Sequence, residues 1–139
     1  MPTNVIEFTK LEKTNKAPMD FLAPKTGIAY VVAITRGGCP ACAKQKPKLE
    51  RLAASLRSRH GDRIAFIRVH VNYSPDSQEE SLRSKDQLRH YFYPTNLILV
   101  RSKDRGAIEY YRNTGPDMRE LRRNIERAVE VAKFFDKGS

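Results

Sequence analysis

Residues 28–42 read IAYVVAITRGGCPAC, and this stretch gives the strongest indication of the architecture. Its first part, Ile28–Thr35, is a continuous apolar run rich in β-branched residues, which is typical of a central strand covered on both faces. The Gly37-Gly38 pair then allows the chain to turn sharply. The sequence Cys39-Pro40-Ala41-Cys42 follows at once and contains both cysteines of the chain. A buried strand therefore leads directly into a cysteine pair.

Behind the cysteines the apolar residues change to a helical period. From Pro40 to about Arg59, leucines and alanines recur on one face, with Lys and Arg on the opposite face. Cys39 is thus expected near the N-cap, where unpaired N–H groups and the positive end of the helix dipole favour a thiolate. Pro40 suits the first helical position because its missing N–H would be unpaired there anyway. Cys42 lies one turn further, close enough to attack a mixed disulfide formed at Cys39.

The rest of the chain alternates between strand and helix patterns. Ile64–Val71 predicts a second buried strand, so strand, helix and strand form a βαβ unit with parallel strands. Further predicted elements are a short strand at Val5–Thr9, an apolar segment at Met19–Leu22, a helix at Glu79–Tyr91, an antiparallel hairpin formed by Asn96–Val100 and Ala107–Tyr111, and a last helix opened by Gly115-Pro116-Asp117. The predicted class is α/β, with a central mixed β-sheet flanked by helices.

Length and composition predict one domain. A chain of 139 residues is typical of a single core, here residues 1–139, with residues 1–4 and 134–139 expected to fray. The N-terminus lacks the pattern of a signal peptide, and no apolar run approaches 18 residues. We therefore expect a soluble protein without a membrane segment and place it in the cytoplasm. A chain trimmed of a signal or an anchor would look the same.

The charge of the chain is strongly positive, at +10 from 26 Lys plus Arg against 16 Asp plus Glu. Basic residues are interleaved with acids along the sequence, and no RNA-binding or DNA-binding motif accompanies them. We therefore do not expect nucleic acid as the partner. The interpretation is a solvated basic face that prefers acidic partners.

The cysteine pair by itself has several interpretations. A bridge across two residues closes a tiny loop and gains little loop entropy, so the pair makes more sense as chemistry than as a structural staple. A CxxC sequence can also be half of a zinc site. His60 and His70 lack the short paired spacing of zinc fingers, so no metal is predicted, and His90 is interpreted as a helix-surface residue.

The cysteine pair and its surroundings resemble the thioredoxin superfamily from about Val5 to Phe135. Pro47, five residues after Cys42, is similar to the family's helix-kinking proline. Pro94, within Tyr93-Pro94-Thr95, resembles the cis-proline that faces the active site, in the form common in protein disulfide isomerase domains. Gly115 corresponds to the family's glycine in the substrate-binding surface.

The resemblance implies a thioredoxin-like fold and the activity of a thiol-disulfide oxidoreductase that exchanges disulfides with protein substrates. Cys39 would be the nucleophile and Cys42 the resolving thiol. The polypeptide-binding residues implied in the same way are Gly38, Pro40, Tyr93, Pro94 and Gly115. No cofactor is implied; the partners would be proteins with disulfides or thiols and a reductase or oxidant that recycles the chain.

Two departures from the family pattern are equally informative. Gly38 stands where the family usually has a tryptophan, and the chain contains no tryptophan. Ala33, six residues before Cys39, replaces a buried acid that helps to move protons at the second cysteine, so deprotonation of Cys42 would need water or another group. Pro40 and Ala41 supply no hydrogen-bonding or cationic group, which favours a reductase. Gly38 and Ala33 also favour the rival hypothesis, a redox-inert or weakly active protein-binding module.

Overall fold

A five-stranded sheet with helices on both faces forms the centre of the computed structural model, which describes residues 3–115 and 117–137. In chain order the elements are β1 (Asn4–Glu7), α1 (Phe8–Glu12), α2 (Pro18–Leu22), β2 (Ala29–Arg36), α3 (Pro40–His60), a 3₁₀ turn (Gly61–Arg63), β3 (Ile64–Val71), α4 (Glu79–Leu88), β4 (Thr95–Arg101), β5 (Ala107–Asn113) and α5 (Met118–Lys137). The strand order is β1-β3-β2-β4-β5. The predicted α/β class with a mixed central sheet is confirmed.

Strand β2 lies at the centre of the sheet. It pairs in parallel with β3, from Ala29 opposite Ile64 to Arg36 opposite Val71, and antiparallel with β4. Every residue of β2 except Arg36 is buried. The predictions of a strand covered on both faces and of a parallel βαβ unit are confirmed, because this apolar run has hydrogen-bonded neighbours on both edges and helices on both faces.

The sheet separates two apolar cores. Helices α3 and α5 cover one face, and α1, α2 and α4 contribute to the core on the other face. Residues of the α3–α5 core include Val31, Ala33, Leu52, Leu56, Phe66, Ile98, Leu121, Ile125, Ala128, Val129 and Ala132. Residues of the opposite core include Phe8, Leu11, Leu22, Val32, Ile34, Val69, Leu88, Leu97 and Leu99. The α5 positions in the first set recur at helical spacing and form the buried face of the last helix.

The N-terminal region differs from the prediction. Strand β1 already begins at Asn4, one of the residues expected to fray, which pairs with Ile67. The strand ends at Glu7 rather than Thr9, because Phe8 and Leu11, three residues apart, both point into the core from a short helix. Residues 1–2, also predicted to fray, lie outside the described part of the chain.

Residues 134–137, which we expect to fray, continue α5 in the structure. The Asp136 carboxylate pairs with the Arg63 guanidinium at 3.2 Å and accepts a hydrogen bond from the Thr26 hydroxyl at 3.3 Å. Phe135 packs against the α3–α5 core. These contacts hold the last helical turn, and residues 138–139 lie outside the described part.

In residues 3–115 and 117–137 no helix is long and apolar enough to cross a membrane.

Candidate functional site

The two cysteines lie at the N-terminus of α3 and form a disulfide. Cys39 is the N-cap residue, Pro40 follows at the start of the helix, and the Cα atoms of Cys39 and Cys42 are 5.2 Å apart. The backbone N–H of Cys42 donates to the Sγ of Cys39 at 3.1 Å. Cys39 is half-buried, whereas Cys42 is buried at 9% exposure. The predicted placement of Cys39 at the helix N-terminus is therefore confirmed, and Cys39 is the more exposed of the two residues.

The segment before β4 faces the disulfide. The Tyr93–Pro94 bond is cis, as the resemblance implied, and Pro94 is buried directly before β4. The carbonyl oxygen of Tyr93 lies 3.8 Å from the Sγ of Cys39. The phenol oxygen of Tyr93 forms a hydrogen bond with the Ser81 hydroxyl at 3.0 Å, which fixes the ring on α4. Tyr93 and Pro94 are thus brought together with Cys39, although more than fifty residues separate them in sequence.

Two glycines with positive φ flank the site. Gly38, immediately before Cys39, is exposed and has φ +65°. Gly115 has φ +139°, and a Cβ added there would meet nothing within 4 Å. Gly115 follows β5, whose last residue Asn113 pairs with Asn96 near the start of β4. Gly115 therefore lies at the same end of the sheet as the cis bond, on an open surface.

Arg36 is a site residue that the sequence analysis missed. Its guanidinium donates to the carbonyls of Gly37 at 2.8 Å and Gly38 at 3.2 Å, and so holds the turn that leads to Cys39. The same group stacks over the Tyr73 ring at 4.0 Å and lies 5.8 Å from the Tyr93 ring centroid. Its place at the end of β2 was visible in the sequence, but its aromatic partners come from distant segments.

A cavity of about 550 Å³ adjoins the disulfide. Both cysteines line it, together with Ala33, Gln45 and Arg68. Ala33 is 1% exposed and pairs with Arg68 on one neighbouring strand and with Asn96 on the other. At the position where the family carries a buried acid, this chain presents only a methyl group toward the cavity.

Three amide side chains form a network near Cys42. Gln45 and Asn96 exchange two hydrogen bonds, each of 2.9 Å, and Asn96 also donates to the Asn113 side chain at 3.0 Å. Gln45 is 3% exposed and Asn96 is fully buried. Asn96 pairs with Ala33, and Gln45 comes one helical turn after Cys42, so the network lies beside the second cysteine. Amides do not titrate, so this network supplies polarity without a proton acceptor of carboxylate strength.

The interpretation of His90 as a helix-surface residue is wrong. Helix α4 ends at Leu88 because Arg89 adopts φ +57°, and the chain turns His90 inward to 2% exposure. Its Nε2 lies 2.8 Å from the Ser84 hydroxyl, and its Nδ1 lies 3.3 Å from the Phe92 carbonyl. Because that carbonyl can only accept, Nδ1 carries the proton and Nε2 accepts from Ser84.

The surroundings of His90 keep its ring neutral. Burial lowers the pKa of His90 from its ordinary 6.5 to about 4, with the nearby cations Lys85 and Arg112 acting in the same direction. The ring packs edge-on against Tyr93, with the centroids 4.9 Å apart. A neutral His90 thus anchors the segment that presents the Tyr93 carbonyl to Cys39.

The histidines of the zinc alternative lie elsewhere. His60 ends α3 far from Cys39, with its Nε2 at 4.0 Å from the Glu126 carboxylate, and His70 lies in β3 opposite Glu7. Within residues 3–115 and 117–137 no group of three or more His, Cys, Asp or Glu side chains is arranged to hold a metal.

Pro47 lies inside α3, which continues past it to His60.

Comparison with known proteins places the fold. No protein-family model and no curated protein matches the sequence. Solved structures do match: thioredoxin of Fasciola hepatica has a TM-score of 0.59 and 20% identity over 90% of this chain and 98% of its own. Thioredoxin of Trypanosoma brucei brucei has a TM-score of 0.62 and 14% identity over 93% of this chain and 92% of its own. Thioredoxin of Trichomonas vaginalis has a TM-score of 0.60 and 15% identity over 91% and 97%.

These similarities extend over nearly the whole chain, but the sequence identity is low. They therefore show the fold alone. The cis bond before β4 agrees with what the resemblance implied, and the cysteine pair lies at the start of α3, as the helical period predicts. The prediction is thereby confirmed: the chain has the thioredoxin fold.

Proposed function

We propose that this chain is a thiol-disulfide oxidoreductase that exchanges disulfides with protein substrates. The observation that carries the proposal is the Cys39–Cys42 disulfide at a helix N-terminus, with the sulfur of the more exposed residue, Cys39, facing the Tyr93 carbonyl. Structural cysteines are buried and inert, whereas reactive ones sit in partly exposed, electropositive surroundings. Cys39 is half-buried, and the positive end of the α3 dipole and the Arg36 guanidinium on the adjacent Gly38 carbonyl make its surroundings electropositive.

The proposed exchange proceeds in two thiol-disulfide exchange steps. In the reducing direction, the Cys39 thiolate attacks a substrate disulfide; a mixed disulfide forms and one substrate thiolate leaves. The Cys42 thiolate then attacks the Cys39 sulfur, so the protein disulfide forms and the second substrate thiolate leaves with the electron pair. The N–H of Cys42, which donates to the Cys39 sulfur, stabilises the Cys39 thiolate that begins the sequence.

Substrates would bind as extended polypeptides across the cis-proline segment. We assign Gly38, Pro40, Tyr93, Pro94 and Gly115 to this surface. The open space above Gly115 and the missing side chain of Gly38 allow the backbone of a substrate to approach closely. Backbone pairing beside Pro94 would give binding with little dependence on the substrate sequence.

Recycling requires a second partner rather than a prosthetic group. A dithiol or a reductase would return electrons to the Cys39–Cys42 disulfide if the chain works as a reductase, the direction that the Pro-Ala pair between the cysteines favours. The cytoplasm remains the predicted compartment for that direction. The reduction potential of the pair tests it: a value near −270 mV, about that of thioredoxin, supports a reductase, and one near −120 mV contradicts it.

A second candidate is a redox-inert protein-binding module with the same fold. Its support is the absence of the tryptophan and of the buried acid, replaced by Gly38 and Ala33. The two hypotheses predict opposite results in a disulfide-reduction assay.

The deciding experiment measures reduction of insulin disulfides with wild type, Cys39→Ser and Cys42→Ser. We expect turnover by the wild type, background rates for Cys39→Ser, and accumulation of a mixed disulfide on Cys39 for Cys42→Ser, because the resolving thiol is missing. Circular dichroism of all three proteins controls for folding. A wild-type rate equal to that of Cys39→Ser would overturn the enzyme proposal and leave the binding module.

A further inference from the structure

Helices α3 and α5 enclose a groove of about 420 Å³ on the surface of the protein. Its lining consists of Lys48, Arg51, Leu52, Met118, Arg119 and Arg122, and we call it the basic groove. Four of these six residues are cations, and none is a carboxylate. Two other cations of α5 pair with carboxylates, Arg123 with Glu120 at 2.8 Å and Lys133 with Glu130 at 3.3 Å.

Three of the four cations are not neutralised within the described part of the chain. The side chains of Lys48, Arg51 and Arg119 make no hydrogen bond or ion pair there, and all three residues are exposed. Only the backbone N–H of Arg119 has a carboxylate partner, Asp117 at 3.1 Å. Arg122 is held by the Ser55 hydroxyl at 3.0 Å and lies 3.8 Å from the Glu126 carboxylate. Like charges collected around one groove create a positive potential that attracts acidic groups.

The floor of the groove is apolar. Leu52 is 6% exposed, and Met118 is partly buried against the same core. Apolar area can anchor a side chain of a partner, while the cations at the rim select for acidic neighbours. None of the six lining residues is aromatic, whereas surfaces for single-stranded nucleic acid stack bases on aromatic rings. The lining therefore favours an acidic polypeptide over a nucleic acid.

The groove and the redox site lie along the same helix, α3. Helix α3 starts beside Cys39, and at 1.5 Å per residue Lys48 and Arg51 lie roughly 14 to 18 Å along it. Helix α5 starts at Met118, just after Gly115. An extended chain covers this distance with about five residues. A substrate bound at Gly115 can thus reach the groove with a nearby segment.

We propose that the basic groove binds an acidic segment, with Asp or Glu residues around an apolar anchor, of the protein that reacts at Cys39. This inference rests on the proposed function and adds the substrate class: proteins whose reactive cysteines lie near such a segment. The groove contributes affinity and orientation and takes no part in the electron transfer.

The binding test uses fluorescence anisotropy with a labelled, cysteine-free peptide of alternating Glu and Leu, at low ionic strength. We expect wild type to bind it and the variant Lys48→Glu/Arg119→Glu to lose at least about tenfold in affinity. The control is Lys13→Glu/Lys16→Glu, which makes the same change in net charge near α1, on the opposite face of the sheet. Equal losses in the two variants, or no binding by wild type, would overturn the inference.

Two further measurements separate the possible failures. A disulfide substrate that carries the Glu-Leu segment should show a KM about tenfold higher with the groove variant, while turnover of a small uncharged disulfide stays unchanged. If disulfides turn over but the acidic segment gives no advantage, the inference fails and the proposed function stands. If the peptide binds without turnover of any disulfide, the proposed function fails.

Nucleic acid is the competing occupant. A labelled single-stranded or duplex oligonucleotide that binds more tightly than the peptide at equal salt, and displaces it, would overturn the polypeptide assignment. Should the charge reversal disturb folding, as judged by circular dichroism, Lys48→Gln/Arg119→Gln removes both charges with less repulsion. A smaller loss of affinity in the same direction is expected from that variant, and unchanged affinity would contradict the inference.

Discussion

Residue 33 shows how one side chain can change the chemistry available within a shared fold. Ala33 is buried between Arg68 and Asn96 and contributes a methyl group to the cavity that both cysteines line. In the proposed exchange, which has no carboxylate at this position, the proton of Cys42 would leave through water or through another group. The resolving step would then be the one without a built-in base.

Restoring an acid tests that conclusion. Ala33→Asp should speed resolution of the mixed disulfide several-fold at neutral pH, because a carboxylate beside Cys42 can accept its proton. It should lower the free energy of unfolding by about 1–3 kcal/mol, because a carboxyl group becomes buried. Stopped-flow kinetics across a pH series measure the first effect and chemical denaturation the second. Ala33→Asn is the matched control, and equal resolution rates in these two variants would contradict general-base assistance.

His90 makes stability depend on pH. Its folded-state pKa of about 4 lies below the ordinary value of 6.5, so the unfolded chain binds a proton at a pH where the folded chain does not. The contribution of His90 to the free energy of unfolding is therefore fully present above pH 6.5. It falls as the pH decreases toward 4, by up to about 3 kcal/mol. Denaturant unfolding at a series of pH values should show this loss in wild type and a flatter profile in His90→Gln. His70→Gln serves as the control, and an unchanged profile in His90→Gln would disprove the assignment.

At the scale of elements, α3 and the β4–β5 hairpin are joined by polar as well as apolar contacts. Gln45 of α3 and Asn96 of β4 are buried among apolar residues, where each amide depends on the other for its hydrogen bonds. Asn113 of β5 extends the network to the edge strand. Because the cysteines begin α3 and Pro94 precedes β4, this network fixes the two halves of the site relative to each other.

Breaking this pair should be costly for stability. Gln45→Leu removes both bonds to Asn96 and should lower the free energy of unfolding by about 1–3 kcal/mol, because Asn96 remains buried with only Asn113 as a partner. Asn96→Leu should cost a similar amount, and the double variant should cost less than the sum. Denaturant unfolding of the four proteins gives the coupling energy. Gln87→Leu, which loses only an exposed bond to Glu12, should change stability by less than about 0.5 kcal/mol. Additive losses at the buried pair would contradict the coupling.

At the scale of the whole molecule, one sheet serves two cores. Strands β2, β3 and β4 send alternate side chains to opposite faces, as Val31 and Val32 do. Both cores are built on the same strands. If one core came apart, one face of these strands would be exposed and the strands that support the other core would be weakened. The described chain should therefore unfold as one cooperative unit.

Core truncation on each face checks this. Leu22→Ala on one face and Ile125→Ala on the other should each cost about 2–5 kcal/mol, and the double variant should show the sum within about 0.5 kcal/mol. Unfolding followed by far-UV circular dichroism and by tyrosine fluorescence should give one shared transition in every variant. Separate midpoints for the two probes would show that the faces unfold independently.

Much of the fold follows from local patterns. The buried strand Ile64–Val71 and the helix behind the cysteines are continuous, strongly patterned segments, so both were predicted with bounds that agree with the structure to within about one residue. The first strand and the end of α4 were misjudged, because Phe8 and His90 follow contacts with core residues that local periodicity does not reveal.

Taken alone, the amino-acid sequence was enough to establish the α/β class, the position of Cys39 at a helix N-terminus and, through resemblance, the cis bond before Thr95. Those features depend on residues that are close in sequence, where periodicity, glycine and proline act directly on the backbone. It took the folded structure to show that Arg36 stacks on Tyr73, that Gln45 and Asn96 pair, and that a cavity opens beside Ala33. Each of these contacts joins segments far apart in the chain, and those segments meet because apolar surface is buried on both faces of the sheet.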